Sequence, residues 1–307
     1  MVGLPWCAYT ECLDPLAEFV CFSLVSVKAN PAFNDETPMQ FFFDSASLVD
    51  ELPYSNAASG GGTEFGSLPL MRIETTGVVP DGLEGLLLTA DQQGVAPVPS
   101  REGALGLLGE AFADWYTALA EQERVPLPSA VGALVAGDMY SDPFARKRGA
   151  TGDVGPAWDA FAHAFAWTAG VAGNHDLFTS RIARHTVRRS HVALLDGDTT
   201  QFDGLRIGGV SGIVGKKGKV NRRTPASFRA ALTDVLVQAP HIVVLHEGPP
   251  GLGEGQRGQV EVEDPLRDLP PTLLVSGHVH WRTPWSQNDA TTHINVDGRA
   301  VLLCRKS

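Results

Sequence analysis

The chain is poor in cysteine and in basic charge. Its four cysteines (Cys7, Cys12, Cys21 and Cys304) form no C-x-x-C pair, so neither a disulfide framework nor a zinc ribbon is indicated. Such sparse use is typical of reduced thiols in a cytosolic protein, and we expect a cytoplasmic location. Lys and Arg number 24 against 35 Asp and Glu, and the net charge of −11 disfavours nonspecific binding to nucleic acid or to an anionic membrane.

Long hydrophobic runs are also missing. The best apolar run near the start, FVCFSLVSV at residues 19–27, is too short to span a bilayer and lacks the basic segment that precedes a signal sequence. We therefore predict a strand there and expect no membrane partner. Hydrophobic residues make up 43% and charged residues 19% of the 307 residues, which is typical of a globular protein with a sizeable core.

Residues 1–66 differ in character from the rest. They include the aromatic segment MQFFFDSASLV at 39–49 and the start of SNAASGGGTEFGS at 55–67, whose Gly and Ser content predicts a flexible linker or long loop. We expect an N-terminal extension of unknown role over 1–66, which could add strands to the core, cap the site or mediate oligomerisation. Residues 67–307 would then form the main domain.

From about Leu68 onward, short apolar runs alternate with segments of helical periodicity. Residues 105–122, 157–166 and 224–238 are predicted helices, because their apolar residues recur at a spacing near 3.6. This alternation predicts an α/β layered domain. The intervening runs are nearly continuous in Val, Leu and Ile, which favours strands buried on both faces.

Polar side chains directly follow these apolar runs, where function gathers in α/β sheets. The residues concerned are Asp91, Asp138, Asn174, His246, His278 and His280. Two Asp, one Asn and three His suit a pair of divalent metals about 3.5–4 Å apart that clamp the attacking and leaving oxygens of a phosphate ester. The mixture of oxygen and imidazole ligands favours Mn, Fe, Zn or Ni over Ca or Mg.

The runs GNHD and GHVH carry the most information. Asn174 can bind a metal through its amide oxygen and His175 can act as a general acid, although a polar turn with a core histidine is the alternative. His278 and His280 stand two residues apart, a spacing that places both imidazoles on one face of a strand. The Gly–Asp pair at 137–138 is, by itself, also a common turn.

Taken in order, these motifs resemble those of the calcineurin-like metallophosphoesterase superfamily. Its pattern is D-x-H, then G-D, then G-N-H-D/E, then a single His, then G-H-x-H, and the resemblance covers roughly residues 68–307. It implies a four-layer α/β/β/α sandwich, with two facing mixed sheets, helices outside and the metals at the top. The unit at 67–307 is then expected to be the metallophosphoesterase domain.

The resemblance also implies a role for each matched residue. The implied ligands are Asp91 and His280 for the first metal, Asn174, His246 and His278 for the second, and Asp138 as the bridge. His175 is expected to protonate the leaving oxygen or stabilise the transition state, and Asp176 is expected to orient it. A metal-bound hydroxide would attack phosphorus, with manganese the favoured ion.

The sequence departs from the pattern at Gln93, which stands where the D-x-H motif has its histidine. Either its amide oxygen ligates the first metal, or the side chain only hydrogen-bonds to nearby loops and water completes the metal shell. In both cases we expect a weaker first site, or one that prefers Mn or Mg over Zn. The neighbouring Gln92 is expected to face solvent or substrate.

Two basic segments could contact a phosphorylated substrate. Arg146 and Arg148 follow the Gly–Asp loop, where some superfamily members place a phosphate-contacting arginine, and KKGKVNRR occupies 216–223. Solvated loop charge is the alternative for each residue.

We expect hydrolysis of a small phosphomonoester or phosphodiester. The alternatives are a non-catalytic scaffold on a degenerate phosphoesterase fold, which Gln93 supports, and a nuclease of the same superfamily. Retention of His175 favours an enzyme, and the acidic net charge makes a nucleic-acid partner possible but not favoured. The oligomeric state stays open.

Overall fold

The computed structural model of the protein describes residues 39–100, 104–216, 218–288 and 290–306. The strand predicted at 19–27, three of the four cysteines and Lys217 of the basic segment lie outside these residues. The remaining cysteine, Cys304, is buried and free. Within the described ranges, no helix is long and apolar enough to cross a membrane.

Strands dominate the described chain, with helices placed between them. The helices are α1 (Leu108–Glu121), α2 (Gly155–Ala164), α3 (Arg181–Thr186), α4 (Pro225–Leu236) and α5 (Glu263–Asp268), with 3-10 turns at Pro128–Ala130 and Val260–Val262. The strands are β1 (Gln40–Ala57), β2 (Thr63–Thr76), β3 (Gly85–Ala90), β4 (Val95–Pro97), β5 (Leu105–Leu107), β6 (Val131–Val135), β7 (Gly152–Asp153), β8 (Trp167–Gly170), β9 (Asp176–Leu177), β10 (Val192–Leu194), β11 (Asp198–Phe202), β12 (Leu205–Val210), β13 (Ile213–Val214), β14 (Arg222–Arg223), β15 (Ile242–Glu247), β16 (Leu273–Gly277), β17 (Trp285–Gln287), β18 (Thr292–Asn295) and β19 (Arg299–Arg305).

Two large sheets are formed, and both mix parallel with antiparallel pairs. The nine-stranded sheet has the order β10-β8-β6-β3-β19-β2-β1-β4-β5, and the six-stranded sheet has the order β11-β12-β15-β16-β18-β17. In each sheet the central strand pairs that carry the site, β3 to β6 to β8 and β12 to β15 to β16, are parallel. The predicted α/β class with mixed sheets is confirmed.

Three hydrophobic clusters account for the buried core of the described residues. One joins side chains from both sheets, such as Leu88 and Val275. Another joins the nine-stranded sheet to α1 and α2 through Phe112, Trp158 and Phe161, and a third joins the six-stranded sheet to α4 and α5. Strands β3 and β6 are buried at every residue, as the prediction of strands covered on both faces requires.

The predicted helices are present with shifted ends. Helix α1 begins at Leu108 rather than 105 because Leu105–Leu107 pair with β4 as β5. Helix α4 begins at Pro225, after Thr224 caps it by accepting the N–H of Ser227 at 3.3 Å.

The predicted linker at 55–67 is wrong. Its two ends pair with each other in an antiparallel hairpin of β1 and β2, and only residues 58–62 form the turn. Gly61 and Gly62 supply the positive φ angles, 89° and 85°, that the tip requires. Strand β2 thus crosses the boundary predicted between 66 and 67, and the division into extension and domain stays a prediction.

Candidate metal centre

Three of the predicted ligands occupy left-handed backbone conformations at strand ends. Asp91 follows β3 with φ 53°, Asp138 follows β6 with φ 54°, and His278 follows β16 with φ 67°. Non-glycine residues at such angles cost on the order of 1 kcal/mol or more each, and they concentrate at functional sites. The chain therefore turns sharply at each strand tip and presents a polar side chain there.

Two glycines let these turns approach one another. A Cβ on Gly277 would lie 2.3 Å from Oδ2 of Asp91, and a Cβ on Gly173 would lie 2.0 Å from Oδ1 of Asp138. In the resulting contact the N–H of His278 donates to Asp91 Oδ2 at 2.8 Å. The glycines of the GHVH and GNHD motifs are thus required by close packing of one strand end against another.

Asp138 lies among several of the predicted site residues and is only 2% exposed. Its Oδ1 accepts the N–H of His175 at 2.8 Å. Its Oδ2 lies 3.2 Å from Nε2 of Gln93 and 3.2 Å from Nε2 of His246. Both carboxylate oxygens therefore face groups that the sequence analysis assigned to the site.

His246 is fully buried and held in one orientation. Its Nδ1 lies 2.8 Å from the carbonyl oxygen of Ala136, so Nδ1 carries a proton and Nε2, which faces Asp138, is the nitrogen that gains or loses the second proton. The contact of Nε2 with Asp138 lacks hydrogen-bond geometry, and this nitrogen is one of the buried atoms without a partner among the described residues.

These surroundings shift the pKa values of the buried acids and bases. Burial alone would lower the pKa of His246, but the negative charges of Asp138 and Asp91 raise it to about 10. Burial opposes ionisation of Asp138, yet the charges of His246 and His175 lower its pKa below the usual value. The pKa of Asp91 lies well above its usual value because of burial, with the charges of Asp297 and Asp138 adding to the effect.

A third ligand atom completes a compact group. The rings of His246 and His278 lie 4.9 Å apart between centroids, and one ligand atom each from Asp138, His246 and His278 lie within 4.8 Å of one another. Burial and the nearby charge of His246 lower the pKa of His278 to about 4, so its imidazole is neutral near pH 7. A neutral imidazole is the form that binds a metal.

The residues present fit a divalent cation. Two buried acceptors, Asn174 Oδ1 and His246 Nε2, lack a hydrogen-bond partner among the described residues. An unsatisfied buried polar atom costs about 1–3 kcal/mol, and such atoms in a native fold call for an explanation. A cation held beside Asp138 would give His246 Nε2 and the carboxylate a common partner, and Asn174 precedes His175, whose N–H binds Asp138.

His280 does not join this group, and the argument from strand spacing is wrong. Strand β16 ends at Gly277, so both histidines lie in the turn beyond it rather than on one strand face. The side chain of His280 is 65% exposed, with Nδ1 3.0 Å from Asp297 Oδ2 and both ring nitrogens 3.2 Å from Nη2 of Arg299. Its role as a first-metal ligand stays a prediction.

The carboxylate of Asp176 binds backbone rather than the His175 ring. It accepts the N–H groups of Asp138 at 2.7 Å, Met139 at 2.9 Å and Gly173 at 2.8 Å. No hydrogen bond joins this carboxylate to the His175 ring among the described residues, and the expectation that Asp176 orients His175 stays a prediction. Burial and the charge of Asp138 raise the pKa of Asp176 to about 7.

His175 has another polar neighbour at its ring. Nδ1 lies 3.4 Å from Oγ1 of Thr151, a residue that sequence reasoning missed because it stands in an irregular loop with no motif. The same loop places Gly149 beside Cε1 of the ring. This arrangement leaves Nε2 as the nitrogen available to a substrate.

Gln93 lies at the site, and the hairpin of β1 and β2 contacts it. Its side-chain Nε2 donates to Asp138 Oδ2 at 3.2 Å. The backbone carbonyl oxygen of Gln93 accepts a hydrogen bond from Nδ2 of Asn56 at 2.6 Å. No local signal identified Asn56, which lies in the stretch predicted as a linker. Gln92, expected to face solvent or substrate, is instead fully buried and donates to Thr89 Oγ1 at 2.8 Å.

The two predicted substrate arginines are exposed. The guanidinium of Arg146 lies 5.2 Å from the ring centre of Phe144, and Nη1 of Arg148 lies 3.3 Å from Oε1 of Glu64 on the hairpin. Within the basic segment, Nδ2 of Asn221 donates to the carbonyl oxygens of Gly173 at 2.7 Å and Asp176 at 2.8 Å. That segment is thus tied to the GNHD loop through an amide that sequence reasoning did not single out.

Comparison with known proteins identifies the family. The family model for calcineurin-like phosphoesterases matches residues 110–282, which is more than half of the chain. The chain belongs to the calcineurin-like phosphoesterase family. Membership implies metal-dependent hydrolysis of phosphoesters, and the group of Asp138, His246 and His278 agrees with the divalent metals that this family uses.

Solved structures also resemble this calcineurin-like phosphoesterase. The protein TT1561 of Thermus thermophilus is 16% identical, with a TM-score of 0.49, and the alignment covers 70% of this chain and 90% of that one. The phosphopantetheinyl hydrolase of Mycobacterium tuberculosis is 14% identical, with a TM-score of 0.38 and the same coverage of both chains. A search of curated proteins found no match.

Proposed function

We propose that the protein hydrolyses a small phosphate ester at a site for two divalent metals bridged by Asp138. The observation that carries the proposal is the unsatisfied buried atom His246 Nε2 in one compact group with Asp138 and His278, together with the unsatisfied Oδ1 of Asn174 in the GNHD loop. A cation at this place would give His246 Nε2 the partner that it lacks among the described residues. The mixture of oxygen and imidazole ligands suits Mn, Fe, Zn or Ni, and the amide of Gln93 in place of a histidine favours manganese over zinc.

The two positions for metal differ in how completely they are assembled. The second would be held by Asn174, His246 and His278 together with Asp138. The first would draw on Asp91 and Gln93, and on His280 once it leaves Asp297. We infer that the second position binds more tightly, since its imidazoles already lie beside the bridging carboxylate.

The chain's own residues would then position the ester and supply a proton. When bound, the metals would act as Lewis acids and supply a strong nucleophile from water at neutral pH. His175 is fixed next to Asp138 by its backbone N–H, and Thr151 contacts Nδ1, so Nε2 is the atom that donates a proton to the leaving oxygen. Asp176 acts as a positioning residue, because it holds the backbone of Asp138 and Met139.

The proposal includes the layer order expected from the sequence, helix, sheet, sheet, helix. The cluster that joins both sheets, and the two clusters that join each sheet to its helices, support this order. The parallel strands would then deliver their carboxyl ends from both sheets to one edge.

The test is metal content together with hydrolysis of a chromogenic phosphomonoester and a chromogenic phosphodiester, with manganese added. We expect turnover that a chelator abolishes, and the faster ester decides between phosphatase and phosphodiesterase. His175→Ala should lower kcat by about 10²–10⁴, the usual contribution of a general acid, while the metal content is unchanged. His163→Ala, on the exposed side of α2, is the matched control and should leave kcat unchanged.

A protein that binds metal and yet hydrolyses neither ester would contradict the proposal. That outcome would favour the non-catalytic scaffold. Equal rates for the parent protein and His175→Ala would show that His175 is not the proton donor.

A further inference from the structure

A cationic side chain without a partner lines the cleft beside His278. The cleft has a volume of about 380 Å³ and is lined by His278, His280, Glu247, Arg257 and Gln259, among others. The guanidinium of Arg257 has no hydrogen-bond or ion-pair partner among the described residues. The cleft therefore presents an unneutralised positive charge close to a predicted metal ligand.

Buried groups fix the backbone of Arg257. Trp281, which is only 1% exposed, donates its Nε1–H to the carbonyl oxygen of Arg257 at 2.7 Å. The N–H of Arg257 donates to the carbonyl oxygen of Gly255 at 3.0 Å. Both backbone polar groups of this residue are thus held before any ligand arrives.

The preceding residue anchors the same loop to the sheet region. Gln256 is 6% exposed, and its Nε2 donates to the carbonyl oxygens of Thr283 at 3.0 Å and Trp285 at 2.8 Å. Its Oε1 accepts the N–H of Gly253 at 2.7 Å. A fully satisfied buried amide of this kind specifies one loop conformation.

The acid in the cleft, Glu247, forms no ion pair with Arg257 among the described residues. Oε2 of Glu247 accepts the N–H of Val214 at 2.8 Å, and Oε1 lies 3.9 Å from Nε2 of His278. Two residues beyond Arg257, the N–H of Gln259 donates to the carbonyl oxygen of Gly248 at 2.9 Å, which fixes the backbone of a second polar residue of the cleft.

We propose that Arg257 and Gln259 form a subsite for a second anionic group of the substrate, a carboxylate or a phosphate separate from the phosphate that is cleaved. The proposal rests on the proposed function, which places the cleaved phosphate beside Asp138 and His278. A guanidinium matches either anion through two parallel N–H donors. In a protein of net charge −11, an exposed arginine whose backbone is held at this position favours acidic substrates.

Binding of phosphonates to the manganese-loaded protein tests the subsite by calorimetry. Methylphosphonate provides one anionic group, 3-phosphonopropionate adds a carboxylate, and propane-1,3-bisphosphonate adds a second phosphonate. We expect one of the two longer compounds to bind at least about tenfold more tightly than methylphosphonate, as charged hydrogen bonds allow. The compound with the higher affinity shows whether the second anionic group of the substrate is a carboxylate or a phosphate.

Variants of residues at and near the cleft test whether Arg257 causes the gain in affinity of the longer compounds. Arg257→Ala should abolish the gain and leave the affinity for methylphosphonate unchanged, whereas Arg257→Lys should keep part of it. Arg282→Ala, an exposed arginine that does not line the cleft, should behave like the parent protein.

The possible failures are distinguishable. If methylphosphonate binds but neither longer compound gains, or if the gain survives in Arg257→Ala, the subsite is overturned while the proposed function stands. If methylphosphonate does not bind to the manganese-loaded protein, the proposed function and the subsite are overturned together.

Discussion

Gln93 is the residue at which this chain departs from its family, and the structure places it against the carboxylate of Asp138. Its amide contacts Asp138 Oδ2 at 3.2 Å, so a change at this side chain acts directly on the group that both metals are proposed to share. An amide oxygen is a weaker ligand than imidazole for transition metals. The affinity of the first metal is therefore the property most sensitive to this position.

Gln93→His should tighten binding of the first metal by about tenfold, because a neutral imidazole replaces an amide, and hydrolysis should persist. The measurement is a manganese titration by calorimetry with two binding steps resolved. Gln93→Ala serves as the matched control and should lower the manganese affinity only of the weaker of the two binding steps, which is that of the first metal. An unchanged affinity in Gln93→His would mean that the side chain does not face the metal.

At the scale of elements, the hairpin of β1 and β2 braces two loops of the site. Asn56 near its tip donates to the backbone of Gln93, and its Oδ1 accepts from Oγ of Ser141 at 3.3 Å. Tyr54 on the same strand packs against Gly94, where a Cβ would lie 2.4 Å from its ring. The hairpin therefore holds the loops that follow β3 and β6.

Asn56→Ala should weaken the first metal by about twofold to tenfold, since the lost hydrogen bond is worth roughly 0.5–1.5 kcal/mol. The second metal should keep its affinity. Ser55→Ala removes a hydroxyl from the adjacent position of β1 and provides the control. Loss of affinity in the control but not in Asn56→Ala would contradict the role of this side chain.

The sequence predicted the elements whose signal is local. Asp91, Asp138 and His278 follow apolar runs, and the strands do end where those runs end. The hairpin was missed because its pairing depends on distant partners, while its Gly and Ser content is that of a linker. The strand face expected for His280 was wrong because His280 lies in the turn beyond β16, where spacing alone does not determine the direction of a side chain.

On the scale of the whole molecule, metal binding should be linked to pH and to stability. His246, with a pKa near 10, holds a proton at the position where a metal ligand is expected, so metal must displace that proton. The affinity for metal should consequently rise as the pH rises towards 10 and fall as the solution is acidified.

Thermal unfolding measures this linkage. Manganese at about 100 times its Kd should add roughly 2.7 kcal/mol to the free energy of unfolding, and thus several degrees to Tm, at pH 8. At the same concentration of manganese the increment should be smaller at pH 6, where protons compete more strongly. The protein in chelator is the reference at each pH, and an increment that grows on acidification would contradict the linkage.

The sheet order has a consequence for how the chain reaches its native state. In the nine-stranded sheet, β2 does not pair with β3, its successor in sequence, because β19 lies between them. On its other side, the hairpin meets the sheet through a single residue pair, Ser55 with Val95. Closing such a long loop is slow, and pairing of distant strands leaves edges exposed in the meantime. Strand β2 can therefore pair with β19 only after β19 has been synthesised, so the hairpin completes its place in the sheet late.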